Sequence, residues 1–486
     1  MNRALGRVAA FLGVLLLALI INLNYVNVVK GSDYAANPAN RRVLLNEYSR
    51  ERGTIVVQGS PIAASVATDD RLKYLRKYTN GPVYAPVTGY YSLFYGTSAM
   101  EAAGDDVLSG DDDRLFVNRV ADLFKGRDPR GGNIVLTLDT KAQQAAYDAM
   151  GGRRGAVVAL DPATGAILTA VSTPSYDPNL LSSHDPDAIQ AAYERYQSDT
   201  VDAPMLNRAF NQTYPPGSVF KVVVAAAALA DGTTPDTRIA APDSIILPNT
   251  SQSLSNFEGE RCGDGETDTL EHALTISCNT SFALLGMDLG TSTIRAQAAK
   301  FGITDQPFQM PLYVARSTIG PVIDQASLGQ TSIGQRDVQI TPLQGAMLAA
   351  TVANDGTLMR PYLVAQEQAP NLSTLPGGEA KPKEQSEALE PELAQQLKAM
   401  MINVVENGTG SAAQIDGIQV GGKTGTADNI EGEPPHAWFV GFAEAGDRQI
   451  AVAVVIENGG VSGSETTGGL AAAPVAQAVI RAYLGL

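Results

Sequence analysis

Val8 to Val29 carries no charged side chain, and Val8 to Ile21 is unbroken apolar residue or glycine. About 20 such residues span the hydrocarbon of a bilayer as a helix. One end of this chain is therefore expected in a membrane, and everything after residue 30 must fold beside it. Arg3 and Arg7 precede the run. Positive charge stays on the cytoplasmic side, which puts the N-terminus inside and the remainder outside. A cleaved signal peptide is the rival, but Asn22-Leu23-Asn24-Tyr25 stands where a small-x-small cleavage site would. The expectation is an uncleaved, single-pass anchor over residues 8–29.

The 486 residues are enough for two or three domains. A net charge of −16 argues against nucleic acid as a partner, since gripping phosphates needs a basic face. His184, His272 and His436 are scattered, and the two cysteines form no Cys-x-x-Cys. No metal and no cofactor is expected. An external location permits a disulfide. Cys262 and Cys278 are the only pair; a bridge between them is the expectation, and two buried free thiols the alternative.

Residues 31–131 are polar and irregular, with short strand-like runs such as Thr54-Ile55-Val56-Val57 cut by Gly and Pro. They read as a small pedestal module, with Asp111-Asp112-Asp113 a solvated turn. The texture changes near residue 132. Ile134 to Leu138, Gly155 to Leu160 and Ala166 to Val171 read as strands, the last two joined by the turn Asp161-Pro162-Ala163-Thr164-Gly165. Helical stretches follow at Lys141 to Met150, Val222 to Ala230, Leu270 to Leu289 and Leu343 to Val352. Strands return at Trp438 to Phe442 and Ile450 to Ile456, and a helix closes the chain from Ala473 to Tyr483. Ala369 to Pro391, rich in Pro, Gly, Glu and Ser, reads as an exposed loop. Strands at both ends with helices between predict an α+β domain over 132–486, one antiparallel sheet flanked by helices.

Chemistry gathers in three short motifs. In Tyr214-Pro215-Pro216-Gly217-Ser218-Val219-Phe220-Lys221 a loop turns into an apolar helix. Ser218 and Lys221, three apart, share a helix face. A serine hydroxyl attacks only with a base beside it, and a lysine becomes that base when burial lowers its pKa. Ser218 also falls in the first helical turn, where the dipole favours negative charge. Ser277-Cys278-Asn279 is the only Ser-x-Asn, and Lys423-Thr424-Gly425, extended by Thr426, the only Lys-Thr-Gly. Each is common alone. All three, singly and in this order, match the serine acyl-transfer set of β-lactamases and penicillin-binding proteins.

More of the chain carries the likeness. Gly155 to Gly165, Ser172 to Asn179, Asn207-Arg208-Ala209, Ile333-Gly334-Gln335, Thr341 to Gln344 and Ala437 to Gly441 resemble the class B penicillin-binding proteins, the monofunctional transpeptidases of the bacterial wall. Arg52-Gly53-Thr54-Ile55 and Tyr95-Gly96 with Glu101 resemble worn parts of that family's N-terminal, dimerisation-like module. The short pedestal is most similar to the actinobacterial penicillin-binding protein A group. Val219 departs from the usual threonine, at a position with no chemical role.

The resemblance implies a fold: a penicillin-binding transpeptidase domain, a small pedestal and one N-terminal transmembrane helix. It also implies acyl transfer from D-Ala-D-Ala stem peptides, with β-lactams as covalent inhibitors. Ser218 would be the nucleophile and Lys221 its base, kept neutral by apolar neighbours and the second cation, Lys423. Backbone N–H groups of Ser218 and Thr426 would hold the oxyanion. Ser277 would relay a proton to the leaving amine, and Asn279 would hold a substrate amide. Lys423, Thr424 and Thr426 would bind the terminal carboxylate, with Gly425 clearing space for the substrate strand. Trp438 is expected as packing, His436 as a strand-end surface residue and Glu101 as a link from the pedestal to the main domain. Partners would be stem peptides, the membrane, a lipid-linked glycan polymerase and division or elongation proteins. A membrane-tethered D,D-carboxypeptidase, a β-lactamase and a non-catalytic β-lactam-sensing or division scaffold remain the alternatives.

Overall fold

The computed structural model describes residues 2–30, 48–124, 126, 128, 130–256, 259–304, 306, 310–427, 433–459 and 468–486. The first part of the expected pedestal, 31–47, lies outside them. In chain order the principal elements begin with helix α1 (Asn2–Asn24) and strands β1 (Ile55–Val57), β2 (Ser60–Ala67) and β3 (Tyr74–Tyr78). Next come α2 (Phe116–Phe124), β4 (Asn133–Leu136), α3 (Thr140–Met150), β5 (Gly155–Leu160) and β6 (Ile167–Thr173). Then follow α4 (Lys221–Ala230), α5 (Asn279–Lys300), α6 (Pro342–Ala353), β7 (Val364–Gln368) and β8 (Thr374–Glu379). The last are α7 (Pro391–Asn407), β9 (Gln419–Ala427), β10 (His436–Ala445), β11 (Arg448–Ile456) and α8 (Ala473–Leu484). Within α1, Leu5–Asn24 is long and apolar enough to cross a membrane.

The central sheet runs β9-β10-β11-β5-β6, antiparallel throughout. Its strands read as continuous apolar runs because both faces are covered. One set of side chains, Val158, Trp438, Val440, Ala453 and Val455 among them, packs in the core that holds α4 and α6. The alternate set, Val157, Phe439, Val452 and Val454, packs with α3 and α8. Successive side chains on a strand point to opposite faces, so the same residues build two cores and fix the sheet between them.

A second sheet crosses the expected boundary at 131/132. Its order is β8-β7-β4-β1-β2-β3. β4 pairs in parallel with β1 of the pedestal and antiparallel with β7, over two hundred residues further on. The expectation of a loop over Ala369 to Pro391 is corrected here. β8 and the strand Glu384–Glu387 fall inside it. β8 is the sheet's edge and mostly exposed, so its composition is that of an edge strand.

The expected helix over Leu270 to Leu289 is two helices, Leu270–Thr275 and α5. The break is Ser277, left-handed at φ 65°. Glu101 is also corrected. It is fully buried inside the pedestal, accepting from Arg52 Nε at 2.7 Å, Arg76 Nε at 2.6 Å and the Tyr78 hydroxyl at 3.0 Å. The link to the main domain is made elsewhere. The Asn179 side chain bonds both N–H and C=O of Tyr78, at 2.9 and 3.0 Å, and Gln143 donates to Val83 O at 2.9 Å.

Candidate active site

The turn before α4 is held from three sides. Tyr214 exchanges two backbone hydrogen bonds with Ile340, the Trp438 indole donates to Pro215 O at 3.0 Å, and Gly217 N donates to Gly334 O at 3.0 Å. Gly217 sits at φ 53°, and a Cβ there would lie 2.2 Å from Thr426 O. Only glycine fits that squeeze. The chain then makes a 3-10 turn over Gly217–Phe220 and enters α4 at Lys221. Ser218 is half-buried on that turn, three positions before Lys221.

Lys221 is wholly buried. Its Nζ donates to Ser277 O at 2.7 Å and Asn279 Oδ1 at 2.7 Å, with Ser277 Oγ at 3.2 Å. The first two motifs, 56 residues apart in sequence, thus meet at one amine. The left-handed turn at Ser277 is what presents its carbonyl and its hydroxyl to the same point. Cys278, between the two, is bridged to Cys262 with Cα atoms 6.1 Å apart, as expected. Ser277 and Asn279 do not cap α5. Asn256 does so from outside, its Oδ1 accepting from Asn279 N and Thr280 N, each at 3.0 Å.

The third motif lies on β9. Gly425 pairs with Trp438 of β10, and a Cβ on it would meet Pro216 O at 2.7 Å and Val219 Cγ2 at 2.9 Å. Its missing side chain leaves room for the turn that carries Ser218. Lys423 shares that strand face by alternation and is fully buried, its Nζ donating to Thr424 O at 3.1 Å. Thr424 and Thr426 take the opposite face. The Thr424 hydroxyl shares a 2.6 Å hydrogen bond with Thr409.

His436 is not a surface residue. It is buried at the start of β10, edge-on to Tyr214 with ring centroids 5.4 Å apart, and burial lowers its pKa. Tyr214 in turn donates to Glu457 at 2.7 Å, and burial with that carboxylate pushes its pKa well up. Trp438 is fully buried packing, as expected.

The Penicillin binding protein transpeptidase domain family matches residues 155–481, and the Penicillin binding protein A dimerisation domain family residues 52–134. The chain belongs to the class B penicillin-binding proteins. Among class B penicillin-binding proteins, the peptidoglycan D,D-transpeptidase PbpA of Mycolicibacterium smegmatis is 48% identical over 492 residues, 100% of this chain and 99% of that one. PbpA of Mycobacterium tuberculosis is 46% identical over 495 residues, again 100% and 99%. The M. tuberculosis penicillin-binding protein A structure with ceftriaxone as an acyl-enzyme superposes with TM-score 0.86 at 47% identity, covering 90% of this chain and 100% of that chain.

Three residues around this cluster gave no signal in the sequence. Asn256, Thr409 and Glu457 are single polar residues far from any motif, and each acts only through the fold. Arg208 stood in a motif without a role. Its Nε donates to Glu457 at 2.8 Å, on the same oxygen Tyr214 holds.

Proposed function

We propose that this chain is a membrane-anchored peptidoglycan D,D-transpeptidase with Ser218 as its nucleophile. The observation that carries the reading is the buried Lys221 amine between Ser277 and Asn279. A neutral amine has two N–H groups and one lone pair. In that place a neutral amine gives its two N–H groups to the two carbonyl oxygens and turns its lone pair to a hydroxyl.

In the first half-reaction Ser218 Oγ bonds to the carbonyl carbon of the penultimate D-Ala as its proton passes to Lys221 Nζ. The oxyanion lies between the N–H groups of Ser218 and Thr426, on segments in backbone contact. Collapse breaks the C–N bond, and the departing D-Ala amine takes a proton through the Ser277 hydroxyl. In the second half an acceptor amine attacks the ester, loses a proton by the same route, and Ser218 is restored. Asn279 accepts from Lys221 with its carbonyl oxygen; one amide N–H reaches Ser255 O at 3.4 Å and the other is left for substrate. Lys423, Thr424 and Thr426 bind the terminal carboxylate. Gly425 lets the nucleophile turn dock.

The domains run 1–30 as anchor, 31–131 as pedestal and 132–486 as transpeptidase, with β4, β7 and β8 joining the pedestal sheet. Arg3 and Arg7 favour a cytoplasmic N-terminus. A lipid-linked glycan polymerase and division or elongation proteins are the partners the family suggests. The test is labelling with a fluorescent penicillin and peptide mapping. One slow-turnover adduct on Ser218 is expected, absent in Ser218→Ala; an adduct elsewhere, or turnover at many per second, would overturn the reading.

A further inference from the structure

α2 is built inside out. Phe116, Val117, Val120, Ala121 and Phe124 fall on one helical arc, with Arg119 and Asn118 on the other. The polar side is the one held to the protein: Arg119 donates to Gly110 O at 2.7 Å and Asp112 O at 2.9 Å. On the apolar side Phe116, Val117 and Phe124 are 60%, 73% and 88% exposed. A soluble pedestal gains nothing from that arrangement, and a contiguous exposed apolar face signals a binding surface.

The position of α2 says what covers it. The chain enters the pedestal at Tyr48, and the excursion that carries α2 starts and ends there. Arg50 pairs with Asp111 at 3.2 Å, Gly53 N donates to Leu108 O at 2.8 Å, and Gly131 N donates to Glu51 O at 2.9 Å. Only residues 31–47 separate that entry from Lys30 at the end of the anchor. Seventeen residues reach about 60 Å at the very most. We propose that α2 lies in the surface of the membrane that holds this chain's own anchor, apolar face down, and so orients the pedestal on the bilayer. The excursion 111–130 holds five acidic and five basic residues, so the contact is apolar rather than electrostatic. The proposal rests on the reading of α1 as a membrane anchor.

The test uses the full chain in vesicles. Trp438 is the sole tryptophan and is fully buried in the core, so Phe124→Trp adds emission that reports position 124. Ile246→Trp, at an exposed site on the transpeptidase domain, is the control. Flotation with the vesicles comes first. The expected result is blue-shifted emission from position 124 that is lost with lipids brominated near the headgroup, and unshifted, unquenched emission from position 246. A floating chain whose position 124 emits as in water overturns the proposal and spares the anchor. Blue-shifted emission that bromine does not quench means protein, a second copy or a partner, covers α2, and overturns it too. A chain that does not float overturns anchor and proposal together.

Discussion

Lys221 can serve as a base only while its third N–H is absent, and its neighbours decide that. Asn279 Oδ1, 2.7 Å away, is a neutral acceptor. Replacing it by a carboxylate would hold the ammonium, because an opposite charge within about 4–6 Å moves a pKa by about 1–3 units. Asn279→Asp is expected to slow penicillin acylation at pH 7 by about tenfold or more, with the rate recovering as pH rises; an unchanged pH–rate profile would remove Lys221 as the base. Glu101 poses the same question without chemistry. Burial raises its pKa, but Arg76 and Arg52 outweigh that and hold it below the usual carboxylate range. Its folded pKa is the lower one, so its contribution is present above the ordinary glutamate value and lost as pH falls through the folded value. Glu101→Gln leaves two buried cations facing a neutral amide. It is expected to cost about 3–5 kcal/mol in denaturant unfolding, and a loss under 1 kcal/mol would show that the cluster relaxes.

The turn that carries Ser218 and β9 meet backbone to backbone, so a single methyl is enough to part them. A Cβ at residue 425 falls 2.7 Å from Pro216 O and 2.9 Å from Val219 Cγ2, with carbonyl and core on the far side. Gly425→Ala is expected to retain the fold and to cost about 10²-fold in the acylation rate, the price of a displacement near 1 Å at a catalytic pair. Stopped-flow acylation with a chromogenic β-lactam reads it; wild-type rates would mean that the two elements are not held in register. Much at this scale was legible in the sequence. The apolar runs of β5, β6, β10 and β11 gave the sheet, and Ser218, Lys221, Ser277, Asn279 and Lys423 stood in three motifs. What was not legible depends on distant contact. Ser277 adopts a left-handed backbone that serine rarely chooses alone. Asn256 caps a helix 23 residues away. β8 looks like a loop because an exposed edge strand is selected against being apolar.

At the scale of the whole chain, the pedestal and the transpeptidase domain share one sheet, and this decides how they unfold. β4 lies between β1 and β7 with Ile134 and Leu136 buried. Removing β1 would leave a row of unpaired backbone groups and two stripped core residues on the larger domain. Separate domains unfold separately, whereas a shared sheet makes damage in one felt in the other. Glu101 and Trp438 are the probes: one is buried in the pedestal, the other in the central core. If the two units are one cooperative body, Glu101→Gln should lower the midpoint at which Trp438 emission reports melting by about 5 °C. The calorimetric trace should keep a single peak with the same shift. A Trp438 midpoint that stays at the wild-type value, while a second, lower peak appears, would mean that the pedestal melts alone. The strand pairing of β4 with β1 would then be a docking contact and not a structural bond.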